Sequence, residues 1–217
     1  MKTVFPFFGL AALLVVAPIR AADTASVEGI VPLAKPAAVA PLNVRYQSKP
    51  GVPAAPAAPN VAVVFLEVPG APTNATPATV QMPQRNLAFS AGLLGIRRGT
   101  LVEFPNEDDL YHNVFSYSKA KRFDLGRYLK GEKPAAQLFD QAGVVKLYCE
   151  IHEHMRGTIL VLDTPHFART DTNGVFQLTG LPAGKFKLKA WVDEKTTLER
   201  EVELKPGTTA RVDFSGP

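Results

Sequence analysis

The chain has 217 residues, 46% hydrophobic and 20% charged, with a formal net charge of +4. That length allows one or two domains, and the composition is ordinary for a globular protein. Two of the cations, Lys2 and Arg20, lie in an apparent leader, so the remaining excess of +2 does not argue for a nucleic-acid partner. Nineteen prolines and sixteen glycines, with few long helical patterns, point to an all-β protein rich in turns.

Residues 1–22 read as a cleaved signal peptide. Lys2 supplies the positive start, Phe5 to Val16 the apolar centre, and Ala21 or Ala22 the small residue at the cleavage point. The apolar run is shorter than the roughly 20 residues of a membrane span, and no later stretch approaches that length. The expectation is a periplasmic or secreted protein with no membrane span. A lipid anchor would need a cysteine at the cleavage point, and the single cysteine is Cys149.

Residues 23–83 are a proline- and alanine-rich segment holding one or two strands. Lys49 to Pro59 and Pro69 to Pro83 read as linkers or edge loops, because proline removes backbone donors and favours extended chain. Between them Val61 to Glu67 reads as a buried strand, and Ser26 to Val31 as a shorter one. From Asn86 the strands come closer together: Leu101 to Phe104, His112 to Tyr117, Val144 to Cys149 and Thr158 to Leu162. Lys119 to Phe139 is charged and reads as a long surface connection with room for a helical turn.

In the tail, Lys185, Lys187 and Lys189 alternate with Phe186, Leu188 and Ala190, and Ala210, Val212 and Phe214 alternate with Arg211 and Asp213. A period of two with one charged face predicts half-buried antiparallel strands. Asp171-Thr172-Asn173-Gly174 reads as a turn. The rest of a calcium loop, including its terminal glutamate, is missing.

One cysteine in an exported chain cannot form an internal disulfide. It is a reactive thiol, an intermolecular bridge, a buried small hydrophobe or a metal ligand. Its neighbours favour the last. Cys149, His152 and Met155 fall at three-residue steps, and His112-Asn113-Val114 lies upstream. One thiolate, two imidazoles and one thioether are the donor types of a blue-copper site, soft enough for Cu(I) and still able to hold Cu(II). His154 stands between two of these residues. It reads as an exposed supporting or partner-docking residue, with replacement of Met155 or a second Cu(I) site as alternatives.

With these residues in view the chain resembles the cupredoxins, the plastocyanin and amicyanin group. The resemblance rests on Gly99 to Asp108, His112-Asn113-Val114, Cys149 to Met155 and Gly157 to Val161, and it covers residues 84–164. It implies a Greek-key β-sandwich holding one type 1 copper, with His112, Cys149, His152 and Met155 as ligands and Asn113 supporting the thiolate loop. Two positions depart from the family: Ile151 stands where many members have a proline before the second histidine, and Glu153 where amicyanin-like loops have one after it. Tyr148 occupies a position that is often tyrosine in plastocyanin-like proteins, on a path to the surface. The alternative is a strand aromatic packed in or beside the core.

Residues 165–217 resemble the carboxypeptidase regulatory-like domain, a small transthyretin-type β-sandwich. This second resemblance rests on Thr170 to Leu181 and Pro182 to Leu188. Its opening strands would then be Gly29 to Val31 and Val61 to Glu67, with the cupredoxin inserted between the parts of a discontinuous sandwich.

No nucleotide-binding or hydrolase motif competes. The basic group Lys119, Lys121, Arg122, Arg127 and Lys130 lacks the aromatic platform of a single-strand binder, and reads as a solvated loop or a docking face for an acidic redox partner. The leading expectation is a periplasmic carrier of single electrons between redox partner proteins, with no enzymatic activity and no nucleic-acid partner. The alternatives are a Cu(I) delivery or storage protein and a β-sandwich accessory module. The sequence leaves the oligomeric state open.

Overall fold

The computed structural model describes residues 24–34, 60–69 and 78–214. The expected signal peptide and the Lys49 to Pro59 stretch lie outside these residues. The described residues form strands and no helix. In chain order these are β1 Ala25–Ile30, β2 Val63–Glu67, β3 Thr79–Gln81, β4 Gln84–Arg85, β5 Ala88–Phe89, β6 Leu93–Arg97, β7 Thr100–Glu103, β8 His112–Tyr117, β9 Arg122–Tyr128, β10 Gln137–Phe139, β11 Gly143–Tyr148, β12 Arg156–Leu162, β13 Phe167–Arg169, β14 Val175–Leu181, β15 Gly184–Trp191, β16 Thr197–Leu204 and β17 Thr209–Arg211.

Strand alternation builds two separate cores. One lies between the five-stranded sheet β6-β12-β11-β8-β9 and the three-stranded sheet β10-β7-β3. Val114, Val145, Leu147, Ile159 and Val161 face Val102, Phe104 and Phe139 there. The other lies between β14-β1-β17 and β13-β2-β15-β16, where Val27, Phe176 and Leu178 meet Val64, Leu66, Leu188 and Ala190. Thus β2 pairs with β13 and β15, and β1 with β14 and β17, so strands from both ends of the chain share these two sheets.

A third apolar cluster joins the two layered units: Val63, Leu93, Leu160 and Leu162, with Phe65, Phe167 and Trp191 against them. It explains why β2 and β12 read as continuous apolar runs. Val64 and Leu66 enter one core while Val63 and Phe65 face the junction, and β12 divides its residues in the same way. Gly95 permits the close approach, since a β-carbon there would lie 3.1 Å from Val63. Trp191 belongs to this junction and is not an exposed aromatic platform.

Three sequence expectations are corrected. Lys119 to Phe139 contains β9 and β10 and no helical turn. Phe123 and Leu125 pack on the core while Arg122, Asp124 and Arg127 face out, a largely period-two pattern hidden by the charge content. The Pro69 to Pro83 stretch, read as a linker or edge loop, contains β3, an edge strand that pairs in parallel with β7. The last described strand, β17, is parallel to β1, not antiparallel, because it returns alongside the first described strand and not beside a hairpin partner.

The Asp171 turn forms as expected. Its carboxylate accepts from the N–H groups of Asn173 (2.9 Å) and Val175 (2.8 Å), so it caps the turn.

Candidate metal centre

Antiparallel pairing of β8 and β11 sets Tyr148 opposite Phe115, which brings the start of β8 beside the end of β11. His112 therefore meets the loop that opens at Cys149. That loop turns back on itself through a bond from the Met155 N–H to the His152 carbonyl, 2.9 Å. The donor atoms of His112, Cys149 and His152 all lie within 4.8 Å of one another. His112 Nδ1 is 3.1 Å from His152 Nδ1, and Cys149 Sγ is 3.7 Å from the same His152 nitrogen. All three residues are buried, as is Met155 at the loop's end.

Asn113 ties the loop to β9. Its Oδ1 accepts from the Glu150 N–H (3.3 Å), and its Nδ2 donates to Asp124 Oδ1 (2.7 Å) and the Gly126 carbonyl (3.2 Å). Its backbone N–H points at the Cys149 sulfur.

The electrostatics favour a thiolate. Burial pushes the Cys149 thiol up, but hydrogen bonds from His112 and from the N–H groups of Asn113, His152 and Ile151 outweigh it and hold the group below its ordinary value. Burial pulls His112 down, and its bonds to Cys149 and Asp108 more than reverse that, so His112 is raised. His152 is lowered by burial and by the neighbouring His112 and His154. A deprotonated sulfur beside a neutral imidazole matches what a soft metal ion requires of its ligands. The donor set, its mutual distances and its burial all fit copper.

Asp108 was missed in the sequence. It stands four residues before His112, and its Oδ2 lies 2.9 Å from His112 Nε2. It entered the sequence reading only as the end of the Gly99 to Asp108 stretch that carries the family resemblance. An acid four residues before a candidate ligand, in a loop feeding that ligand's strand, was the available signal. Burial raises its carboxyl, but the Leu87 N–H, His112 and the Asn86 N–H outweigh this and depress it below the ordinary 3.8.

A carboxylate depressed on folding stabilises the protein above its unfolded value and loses that contribution as pH falls through its folded value. In metal-free protein, the gap in thermal midpoint between wild type and Asp108→Asn is expected to be widest near neutrality and to close below about pH 4. A gap that stays constant down to pH 2.5 would show that Asp108 does not act through its charge.

His154 is half-buried rather than exposed, and its Nε2 is buried without a hydrogen-bond partner. Its ring centroid lies 6.1 Å from that of His152, and the three-residue cluster does not include it. His166 sits at the junction, half-buried, with its carbonyl accepting from the Leu66 N–H at 2.9 Å. The basic group is partly neutralised: Arg127 pairs with Glu150 at 2.7 Å and Lys130 with Asp109 at 3.1 Å.

Tyr148 lies outside the core, on the outer face of the sheet. Its ring is 5.7 Å from Phe115, which is 5.4 Å from Tyr117, and Tyr117 is 66% exposed. Arg156 and Arg122 stand over the two tyrosine rings at the ends of this row.

No protein-family model matches the chain, and no curated protein does either. Similar solved structures include a cupredoxin, a copper nitrite reductase and amicyanin, each matched over less than half of this chain. A purple cupredoxin from Nitrosopumilus maritimus is 27% identical over 39% of this chain and 99% of its own, with a TM-score of 0.34. A Cu-containing nitrite reductase from Thermus scotoductus SA-01 is 29% identical over 46% of this chain and 25% of its own, TM-score 0.36. A methionine-to-alanine variant of amicyanin with Cu(I) is 20% identical over 40% of this chain and 82% of its own, TM-score 0.34.

The nitrite reductase corrects one expectation. The electron-carrier reading had been taken to exclude enzymatic activity, yet a Cu-containing nitrite reductase, an enzyme, stands among the similar solved structures. Among the described residues no helix is long and apolar enough to cross a membrane.

Proposed function

We propose that this is an exported type 1 copper protein that binds one copper through His112, Cys149, His152 and Met155 and carries single electrons between redox partner proteins. The observation that carries the reading is the buried His112–Cys149–His152 cluster at the joined ends of β8 and β11. Bound copper would supply a one-electron couple. The chain supplies the rest. Strand pairing and the Asn113 bonds hold the ligand side chains still, so that little reorganises when charge changes. Burial keeps water from the sulfur. Leu110, Tyr111 and Ile151, sequence neighbours of the two histidines, are exposed apolar residues suited to a transient partner contact.

In this reading residues 84–164, extended upstream by β3, are the cupredoxin unit. Residues 165–217, with β1 and β2, are a carboxypeptidase regulatory-like sandwich that braces it.

A second reading, Cu(I) delivery or storage, is favoured by one observation: the unpartnered Nε2 of His154 near His152. Visible and EPR spectra of the mature protein titrated with Cu(II) separate the two. An intense blue thiolate-to-copper band with narrow copper hyperfine splitting, reversible through reduction and reoxidation, is the expected result. A colourless protein that reduces and retains Cu(I) would transfer the weight to copper handling, and a protein that binds neither ion would sink both.

A further inference from the structure

Among the described residues, only Asn86 and Leu87 are non-glycine residues with positive φ, at 54° and 58°. They form the two-residue turn between β4 and β5, which pair Arg85 with Ala88. Both central residues of such a turn need positive φ, and the second is ordinarily glycine. Asparagine tolerates this conformation; leucine rarely adopts it. A strained residue persists only where its surroundings hold it, and such strain gathers at functional sites. Here the Leu87 side chain is 6% exposed in the core beneath the metal centre.

The strained turn aims two backbone donors at one side chain. The Asn86 N–H donates to Asp108 Oδ1 at 2.7 Å and the Leu87 N–H to Asp108 Oδ2 at 2.9 Å. The Asp108 N–H is itself held by Asn106 Oδ1 at 2.9 Å, while the buried Asn106 amide donates to the carbonyls of Leu110 (2.8 Å) and Tyr128 (3.0 Å). Both carboxylate oxygens are thus fixed from outside the centre. The remaining contact of Oδ2 is His112 Nε2, at 2.9 Å. An ionised carboxylate only accepts, so the imidazole nitrogen facing it must carry a proton. The other nitrogen, Nδ1, faces Cys149 and His152; it donates to the thiolate only while the ring is protonated, and in the neutral ring, with the proton on Nε2, it is bare.

We propose that Asp108, clamped by the Asn86–Leu87 turn, is the positioning residue of the metal centre: it fixes a proton on His112 Nε2 and so reserves His112 Nδ1 for the metal. The metal half of this proposal rests on the copper reading; the proton half does not. Leu87 is buried to seat the turn, and the turn's N–H groups, rather than its side chains, do the clamping.

Nitrogen-15 NMR of the metal-free protein, at a pH where the His112 ring is neutral, tests the proton half. Wild type is expected to show His112 as the single Nε2–H tautomer, and Asp108→Asn a mixture. Asn86→Gly keeps both N–H donors and the positive φ, so it should match wild type. Copper titration tests the metal half. Asp108→Asn is expected to lose about 10–100-fold in affinity. A tenfold loss confined to Cu(II) would raise the potential by about 59 mV.

A wild-type Nδ1–H tautomer overturns the proposal even if the variant fails to fold. So does an Asp108→Asn protein with unchanged tautomer and unchanged affinity. A fixed Nε2–H that Asp108→Asn releases, in a protein that binds no copper, would retain the positioning role and reject the copper reading instead.

Discussion

Cys149→Ser is expected to abolish the intense visible absorption of the copper-loaded protein outright, while leaving a folded chain. Such a band arises from charge transfer between thiolate sulfur and Cu(II), and a serine hydroxyl stays protonated and hard where a soft anionic donor is required. The sulfur is also the acceptor for the Asn113, His152 and Ile151 N–H groups. The hydroxyl oxygen that replaces it can take up one or two of those donors, so the folding cost should be near the net value of one hydrogen bond, about 1 kcal/mol. Copper affinity should fall further than the roughly 10–100-fold expected from loss of an outer hydrogen-bond partner. The checks are absorption and EPR spectra with a competitive chelator, beside circular dichroism to show that the strands persist. A variant that keeps the band would remove Cys149 from the ligand set and the type 1 reading with it.

The sequence was most informative where period and chemistry coincide. His112 to Tyr117 was read as a strand and is one. The three-residue steps through Cys149, His152 and Met155 could be read as a metal loop because all three donors lie on one short segment. The placement of His112 beside that loop depends on the pairing of β8 with β11, which the sequence does not print, and the resemblance to a family supplied it. Asp108 was missed for a related reason. Its two backbone partners lie 21 and 22 residues upstream, across a turn whose strained leucine breaks the usual Asn-Gly signature. Charge misled the reading of Arg122 to Tyr128, where arginine and aspartate on the solvent side of a strand resembled a loop.

The lone reading of β2 as buried also needed the whole fold to be understood. A run that is apolar at every position suits a strand covered on both faces. Here one cover is the core shared with Leu188 and Ala190, and the other is the junction with Leu160 and Leu162. The sheet that carries the candidate metal centre is therefore covered from behind by strands drawn from both ends of the chain.

The closure of that second pair of sheets gives the other large expected effect. Gly29→Val should lower stability by about 3 kcal/mol, a fall in thermal midpoint of roughly 6–12 °C for a chain of this size. Gly29 pairs with Phe176 on one side. On the other the chain's last described residues pass close by: the Val212 N–H donates to the Glu28 carbonyl and the Phe214 N–H to the Ile30 carbonyl, each at 2.8 Å. A β-carbon at position 29 would overlap the Val212 carbonyl oxygen and would stand 3.1 Å from the Phe176 ring. The obstacle is backbone on a paired segment, so it cannot swing aside as a flexible side chain would. To make room, the Val212–Phe214 segment must leave β1, and Phe214, fully buried against Phe176, must leave the core with it. Calorimetry of the copper-loaded protein checks this, with the visible band followed through the melt. At 20 °C the band should be unchanged, since Gly29 touches no residue of the metal centre. A wild-type midpoint in the variant would mean that the C-terminal segment does not close over β1.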